Sequence, residues 1–252
     1  MNRTTKPAVL VIAGSDSSGG AGLLRDVQVL TRLEVEARCV VTAVTAQTAT
    51  AVSAIHYLPP EMIREQLVAA LNAGPIDAIK IGMLGTREII EAVADSLPSR
   101  DRIPVVLDPV LRSSSGRLLL EPLAQSRLKE LLLPRVTLVT PNLPEAACLL
   151  GEEEGLTDQA QRLLMFGSDA VLLKGGHAAG DESIDLLITA SGMRTALRAV
   201  RVSGSLRGTG CALSAAIAAY LARHAPLVEA CERAKRYVWN EIDQAAAALS
   251  QN

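Results

Sequence analysis

A chain of 252 residues with 49% hydrophobic side chains can bury a sizeable core, and one enzyme-sized domain over residues 1–252 is expected. Its 25 Lys and Arg against 27 Asp and Glu leave a formal net charge of −2, without the cationic excess of a nucleic-acid surface. The apolar run Ala8 to Ala13 is too short for a secretory signal, and no stretch approaches the roughly 20 apolar residues that cross a bilayer, so a cytoplasmic protein with no nucleic-acid or membrane partner is expected.

In chain order, the β-branched run Val9 to Ala13 predicts a strand leading into Gly14-Ser15-Asp16-Ser17-Ser18-Gly19-Gly20-Ala21-Gly22. Four glycines there let the backbone approach a ligand before a helix begins; a tight connection with Asp16 or Ser17 capping that helix explains the segment equally well. The spacing is neither G-x-G-x-x-G nor G-x-x-x-x-G-K-[ST], which disfavours a Rossmann dinucleotide site and a P-loop. Cys39 to Val44 predicts a strand, with Gln47 just past it, and Glu61 to Asn72 predicts a helix. Ala78 to Ile81 predicts a strand ending at Lys80-Ile81-Gly82-Met83, where Met83 reads more readily as core than as a ligand wall. A helix over Arg87 to Ser96 and a strand over Val105 to Leu107 follow, the strand closed by Asp108-Pro109 because proline cannot donate to a ladder. Asp108 is either a turn residue before proline or an acidic group able to meet Mg²⁺ or phosphate-bound water.

Leu123 to Leu133 predicts a helix and Val136 to Val139 a strand, followed by Thr140-Pro141-Asn142-Leu143-Pro144-Glu145. Asn142 and Glu145 can close a capping box on a new helix; the same spacing also aims an amide and a carboxylate at the mouth of the sheet, where they could hold metal-bound waters around a triphosphate. The strand Ala170 to Leu173 ends in Lys174-Gly175-Gly176-His177, with Lys174 either a functional cation or a solvated strand-end lysine. His177, His56 and His224 stand apart from any metal set. Asp181 to Val202 predicts two strands turning near Ser191-Gly192, antiparallel at one sheet edge.

Arg207-Gly208-Thr209-Gly210-Cys211 precedes an Ala-rich helix from about Ala212 to Arg223, and Leu227 to Leu249 predicts a last helix. Two glycines let successive N–H groups turn toward one point, and the helix adds its positive end, which together make an anion hole for a phosphoryl group in flight. The same field would favour the thiolate of Cys211; a glycine turn with a buried, inert cysteine is the alternative. Cys39, Cys148, Cys211 and Cys231 form no C-x-x-C pair, so neither a zinc site nor disulfides are expected, and most of the four are expected to be reduced thiols in packed helices and strands. Alternation of strands and helices predicts a mainly parallel sheet covered on both faces, with ligands outside the carboxyl ends of its strands.

The segments Gly14 to Gly22, Thr45-Ala46-Gln47-Thr48, Lys80 to Met83, Asp108-Pro109-Val110, Thr140 to Ala146, Lys174 to His177 and Gly208 to Cys211 stand in the order seen in hydroxymethylpyrimidine/phosphomethylpyrimidine kinases of the ribokinase-like superfamily, which the chain resembles over nearly its whole length. The Gly-Thr-Gly-Cys ending separates these from sugar kinases, which carry Asp in place of that Cys. The resemblance implies a three-layer α/β/α ribokinase-like fold, a homodimer, and ATP- and Mg²⁺-dependent phosphorylation of 4-amino-5-hydroxymethyl-2-methylpyrimidine and then its monophosphate. It implies that Asp26 and Gln47 hydrogen-bond the substrate, with Gly14, Ala21 and Met83 lining its pocket. Asp108, Asn142, Lys174 and Lys235 would serve ATP and its phosphates, Glu145 would hold the metal through water, Gly208, Thr209 and Gly210 would form the anion hole, and Cys211 would be the base.

The chain departs from the pattern in places. Many members read Gly-Ile-Gln-Ala-Asp-Leu-Lys where Gly22-Leu23-Leu24-Arg25-Asp26-Val27-Gln28 stands, Thr-His where Leu206-Arg207 stands, and Lys where Ser114 stands. These changes touch the choice of acceptor. A pyridoxal or pyridoxine kinase is the first alternative, and a non-catalytic pyrimidine-binding regulatory protein the second, against which the intact Gly208 to Cys211 loop speaks.

Overall fold

The computed structural model describes residues 6–152, 155–176, 181–202 and 206–249, so His177 lies outside the described residues. Strand β1 (Ala8–Asp16) sends Val9, Val11 and Ala13 into one apolar layer and Leu10 and Ile12 into the other, the two-residue period of a strand covered on both faces. β2 (Glu36–Gln47) pairs parallel with one side of β1, and β3 (Val52–Tyr57) runs antiparallel along β2. On the other side of β1 come β4 (Ala78–Ile81), β5 (Val105–Leu107), β6 (Leu138–Val139) and β7 (Ala170–Leu173), parallel and wholly buried. β8 (Glu182–Thr189) and β9 (Arg194–Val200) extend that side antiparallel, turning at Gly192 as the sequence predicts. The order in this nine-stranded sheet is β3-β2-β1-β4-β5-β6-β7-β8-β9.

Helices cover both faces, which gives the three-layer α/β/α architecture. With Val9 and Val11 pack α1 (Gly22–Arg32), α7 (Thr209–Ala222) and α8 (Leu227–Leu249); with Leu10 and Ile12 pack α2 (Pro60–Asn72), α3 (Arg87–Ser96), the single turn α4 (Ala124–Arg127), α5 (Leu143–Leu150) and α6 (Leu156–Leu164). α7 is buried from Ala212 to Ala222, as expected of a helix that is apolar all round. No helix among the described residues is long and apolar enough to cross a membrane.

Several elements differ from the sequence reading. β3 was not expected: Ser53, Ala54 and His56 are exposed, so this edge strand lacks the apolar pattern that marks the interior ones. The predicted helix over Leu123 to Leu133 is only one α turn, followed by a π turn at Leu128–Leu132 and a 3-10 turn at Leu133–Arg135, because Pro134 cannot supply the next helical N–H. The strand after it consequently starts at Leu138 rather than Val136. Neither Asp16 nor Ser17 caps α1, whose N-cap is Ala21 without a side-chain bond. All four cysteines are free thiols, but Cys39 and Cys148 are exposed rather than packed.

The sheet order reverses between β1 and β4, since the chain leaves β1 for β2 on one side and returns to β4 on the other. A crevice outside the carboxyl ends of the strands is the geometric consequence of such a reversal.

Candidate active site

Six parallel strands deliver side chains to that crevice. β1 runs into the glycine loop, β2 ends at Gln47, β4 is followed by Met83, β5 by Asp108 and β7 by Lys174, while the Thr140 turn after β6 leads to Asn142. A cavity of about 480 Å³ is bordered here by Gly14, Ala21, Gln47, Met83, Asp108 and Cys211, among others. A second hollow of about 380 Å³, walled by Val200, Leu206, Leu213, Trp239 and Lys235, adjoins it; Asn142, Lys174 and Gly210 border both.

The junction is built by α5 and α7. Asn142 accepts the Glu145 backbone N–H at 2.8 Å and Glu145 Oε2 accepts the Asn142 N–H at 2.8 Å, a complete capping box worth about 1 kcal/mol that also fixes both side chains. Lys174 Nζ stands 3.0 Å from Asp108 Oδ1 and 3.9 Å from Glu145 Oε2, so the strand-end lysine is bracketed by carboxylates rather than solvated. α7 begins at Thr209, three residues earlier than expected from sequence, which places Thr209, Gly210 and Cys211 inside its first turn. The first-turn N–H groups of a helix have no partner within the helix, and residues 208–211 at this helix start border the cavity and the adjoining hollow. Gly208 caps the helix with φ of 71°, and a Cβ there would sit 2.3 Å from the Gly20 carbonyl oxygen, so a side chain is excluded on two counts. A Cβ on Gly210 would lie 3.2 Å from Lys174 Nζ and 3.7 Å from Asp108 Oδ2, which shows how closely the loop meets these charges.

Below the cavity Lys80 Nζ donates to Asp26 Oδ2 at 2.7 Å, with both side chains 0% exposed. Lys80 borders the cavity and Asp26 does not. Asp26 orients the Lys80 ammonium through Oδ2, while its buried Oδ1 has no hydrogen-bond partner among the described residues. Lys80 itself was legible as a lone lysine inside the apolar run Ala78-Ile79-Lys80-Ile81. Lys235 lies in the adjoining hollow, where it donates to Asp185 Oδ2 at 2.7 Å. Thr209 also faces that hollow, while Gly208 and Cys211 face the cavity.

Burial dominates the electrostatics. It pushes the Asp26 carboxyl up to about 6 against the pull of Lys80, and Glu145 up to about 7 against Lys174, with Asp108 adding to the rise. Against burial, Asp26 holds the Lys80 ammonium above its ordinary value, and Asp108 and Glu145 do the same for Lys174. The Cys211 thiol is pushed up to about 11 by burial, more than the attraction of Lys80 offsets. The thiolate expected at the start of α7 is thus not the resting form: removal from water outweighs the helix field.

Among the described residues no cluster of three or more His, Cys, Asp or Glu forms a metal cage. Asp108 and Glu145 instead set two carboxylate groups on either side of Lys174, a donor set that fits a magnesium ion retaining much of its water.

Known proteins resemble this chain over most of its length. A thiamine biosynthesis bifunctional protein of Geobacter sulfurreducens is 43% identical over 235 residues, covering 92% of this chain, which spans 48% of that protein's length. A hydroxymethylpyrimidine/phosphomethylpyrimidine kinase of Rhizobium meliloti is 42% identical over 94% of this chain and 90% of its own length. The structure of the pyridoxal kinase from Staphylococcus aureus in complex with pyridoxal superimposes with a TM-score of 0.85 at 33% identity, over 95% of this chain and 88% of that one. Residues 16–252 match the family model described as phosphomethylpyrimidine kinase. The chain belongs to the phosphomethylpyrimidine kinase family, with its ribokinase-like fold, and is an ATP-dependent phosphotransferase.

Proposed function

We propose that the protein transfers the γ-phosphoryl group of ATP to the hydroxymethyl oxygen of hydroxymethylpyrimidine, and then to the monophosphate so formed, in thiamine synthesis. The observation that carries this reading is the shared border of the two hollows: an acceptor in the cavity and a nucleotide in the apolar-walled cleft would meet at Asn142, Lys174 and Gly210. Phosphoryl transfer is chiefly a matter of positioning and charge stabilisation. The α7 amides of residues 208–211 and the Lys174 ammonium supply positive charge where the phosphoryl group passes. Gln47, on the cavity rim, offers a donor and an acceptor to the aminopyrimidine edge. Gly14, Ala21 and Met83 border the cavity that would take the ring, and Lys235 would serve the phosphates from the nucleotide side.

Asp108 and Glu145 would hold magnesium through water, and the ion would neutralise charge on the phosphates when bound. Cys211 takes the proton from the attacking alcohol. It does so as the thiolate, the minor form that burial disfavours and the Lys80 ammonium supports, because the neutral thiol already holds its proton and can accept none.

Pyridoxal phosphorylation is the second reading, favoured by the 0.85 TM-score to a pyridoxal kinase with pyridoxal bound. Purified protein assayed for ATP consumption on hydroxymethylpyrimidine, its monophosphate, pyridoxine and ribose decides between them. Turnover of both pyrimidines and none of ribose is expected; turnover of pyridoxine alone selects the second reading, and binding of the pyrimidine without ATP consumption rejects both.

A further inference from the structure

Arg207 departs from the family pattern, in which many members carry Thr-His where Leu206-Arg207 stands, and its side chain bonds residues outside its own loop. Nη1 donates to Ser18 Oγ at 2.9 Å and to the Thr48 carbonyl oxygen at 2.9 Å, while Nη2 donates to Asp16 Oδ2 at 3.0 Å. Asp16 is 3% exposed, and its other oxygen accepts the Ser18 N–H at 2.9 Å and the Ser18 hydroxyl at 2.8 Å. Next to this knot, the Ser17 hydroxyl donates to the Gln47 carbonyl at 2.9 Å and accepts the Gln47 N–H at 2.8 Å. The guanidinium passes over Gly20, where a Cβ would approach Nη1 to 3.3 Å. One residue after Arg207, Gly208 begins the anion loop.

A planar fork that spreads over a carboxylate, a hydroxyl and a carbonyl from separate segments fixes distances between them in a way a single-point cation cannot. Two parts of the acceptor cavity are joined here to the loop that starts α7 and presents Cys211: the glycine loop after β1 and the end of β2 with Gln47. We propose that Arg207 is a positioning residue for phosphoryl transfer, fastening the acceptor side of the cavity to the loop that cradles the moving phosphoryl group. The inference rests on the acceptor assignment made above. Arg207 acts through the segments it holds, so its loss loosens the acceptor relative to the γ-phosphate and leaves the nucleotide cleft, which it does not border, unchanged.

The test compares wild type with Arg207→Ala, Arg207→Lys and Asp16→Asn. It reads KM for hydroxymethylpyrimidine, KM for ATP, ADP formed per phosphorylated pyrimidine, and melting temperature. Arg207→Ala and Asp16→Asn are each expected to raise the pyrimidine KM about tenfold, the effect of one lost charge-assisted bond, with the ATP KM within about twofold of wild type. ADP per product should rise above one as water reaches a loosened site. Arg207→Lys, keeping the charge opposite Asp16 but not the fork, should recover part of the loss. Should Arg207→Ala fail to fold, Asp16→Asn carries the same comparison from the other end of the pair. Unchanged pyrimidine KM in the folded variants, or equal rises in both KM values, overturns the inference. Wild type that phosphorylates no pyrimidine overturns the acceptor assignment and the positioning role together, whereas active wild type with insensitive variants overturns the positioning role alone.

Discussion

Cys211 sits where a helix field favours a thiolate, yet burial keeps it a thiol, with a value near 11. Only the thiolate, the minor form, can take the alcohol's proton, and general-base help of this kind is typically worth ~10²–10⁴-fold. Cys211→Ala is therefore expected to keep the wild-type melting temperature and ATP affinity while losing most of kcat, and Cys211→Asp to retain more activity than Ala, as the carboxylate of sugar kinases implies. Near-wild-type turnover in the alanine variant would end the case for a catalytic cysteine. Gln47 tests the acceptor side. Its side-chain oxygen accepts from Thr45 Oγ1 at 3.2 Å, which orients the amide at the cavity rim. Gln47→Leu leaves a polar edge of the pyrimidine unpaired, a cost of about 1–3 kcal/mol, so its KM should rise at least several-fold with little change for ATP. Steady-state kinetics on the folded variant measures both.

At the scale of elements, α5 carries two roles on one pair of residues, since the box that starts the helix also aims Glu145 at Lys174. The two roles separate through pH. Glu145 rises from an ordinary 4.5 to about 7 in the folded chain, so between these values the native state holds a proton that the unfolded state releases. Stability from that proton is complete below pH 4.5 and is lost as pH climbs through about 7. Asp26, also raised by burial, acts in the same direction. The protein without nucleotide or metal should thus melt at lower temperature at pH 8 than at pH 5. Glu145→Gln should flatten that fall by about 1–3 kcal/mol, and at pH 5 should match wild type because Gln also completes a capping box. Parallel melting curves for the two proteins across this range would remove Glu145 as the titrating group. In activity, the same variant should need more Mg²⁺ for half-maximal rate, whereas a purely structural cap would leave the Mg²⁺ titration unchanged.

For the whole molecule, the buried Lys80–Asp26 pair joins β4 in the sheet to α1 in the covering layer, beneath the cavity. A buried ion pair adds little net stability against apolar replacements, but removing one partner strands the other charge. Lys80→Met is expected to lower unfolding free energy by about 3–5 kcal/mol, and Lys80→Met with Asp26→Leu to recover most of it. Urea unfolding of the single and double variants checks this. A double variant as unstable as the single one would show that the pair holds the layers together by more than charge balance. The same pair lies beneath the cavity proposed for the acceptor, so the recovered double variant should remain weakly active.

Apolar periodicity alone marked β1, β4, β5 and β7, because an interior strand buried on both faces must be apolar throughout, and the antiparallel turn at Ser191-Gly192 was equally plain. Motif spacing placed Asn142, Glu145, Lys174 and Gly208 to Cys211 at strand ends and helix starts, since caps and glycine turns are local chemistry. Neither could show β3, whose edge position asks for little apolar surface, nor the break at Pro134 into π and 3-10 turns. Pairings far apart in sequence were also beyond local pattern: Lys80 with Asp26, Lys235 with Asp185, and Arg207 with Asp16 form only when the sheet order brings their elements together. The protonation state of Cys211 belongs to that class as well. Its place at a helix start is written in five consecutive residues, but the burial that overrides the helix field comes from the layers packed around the cavity.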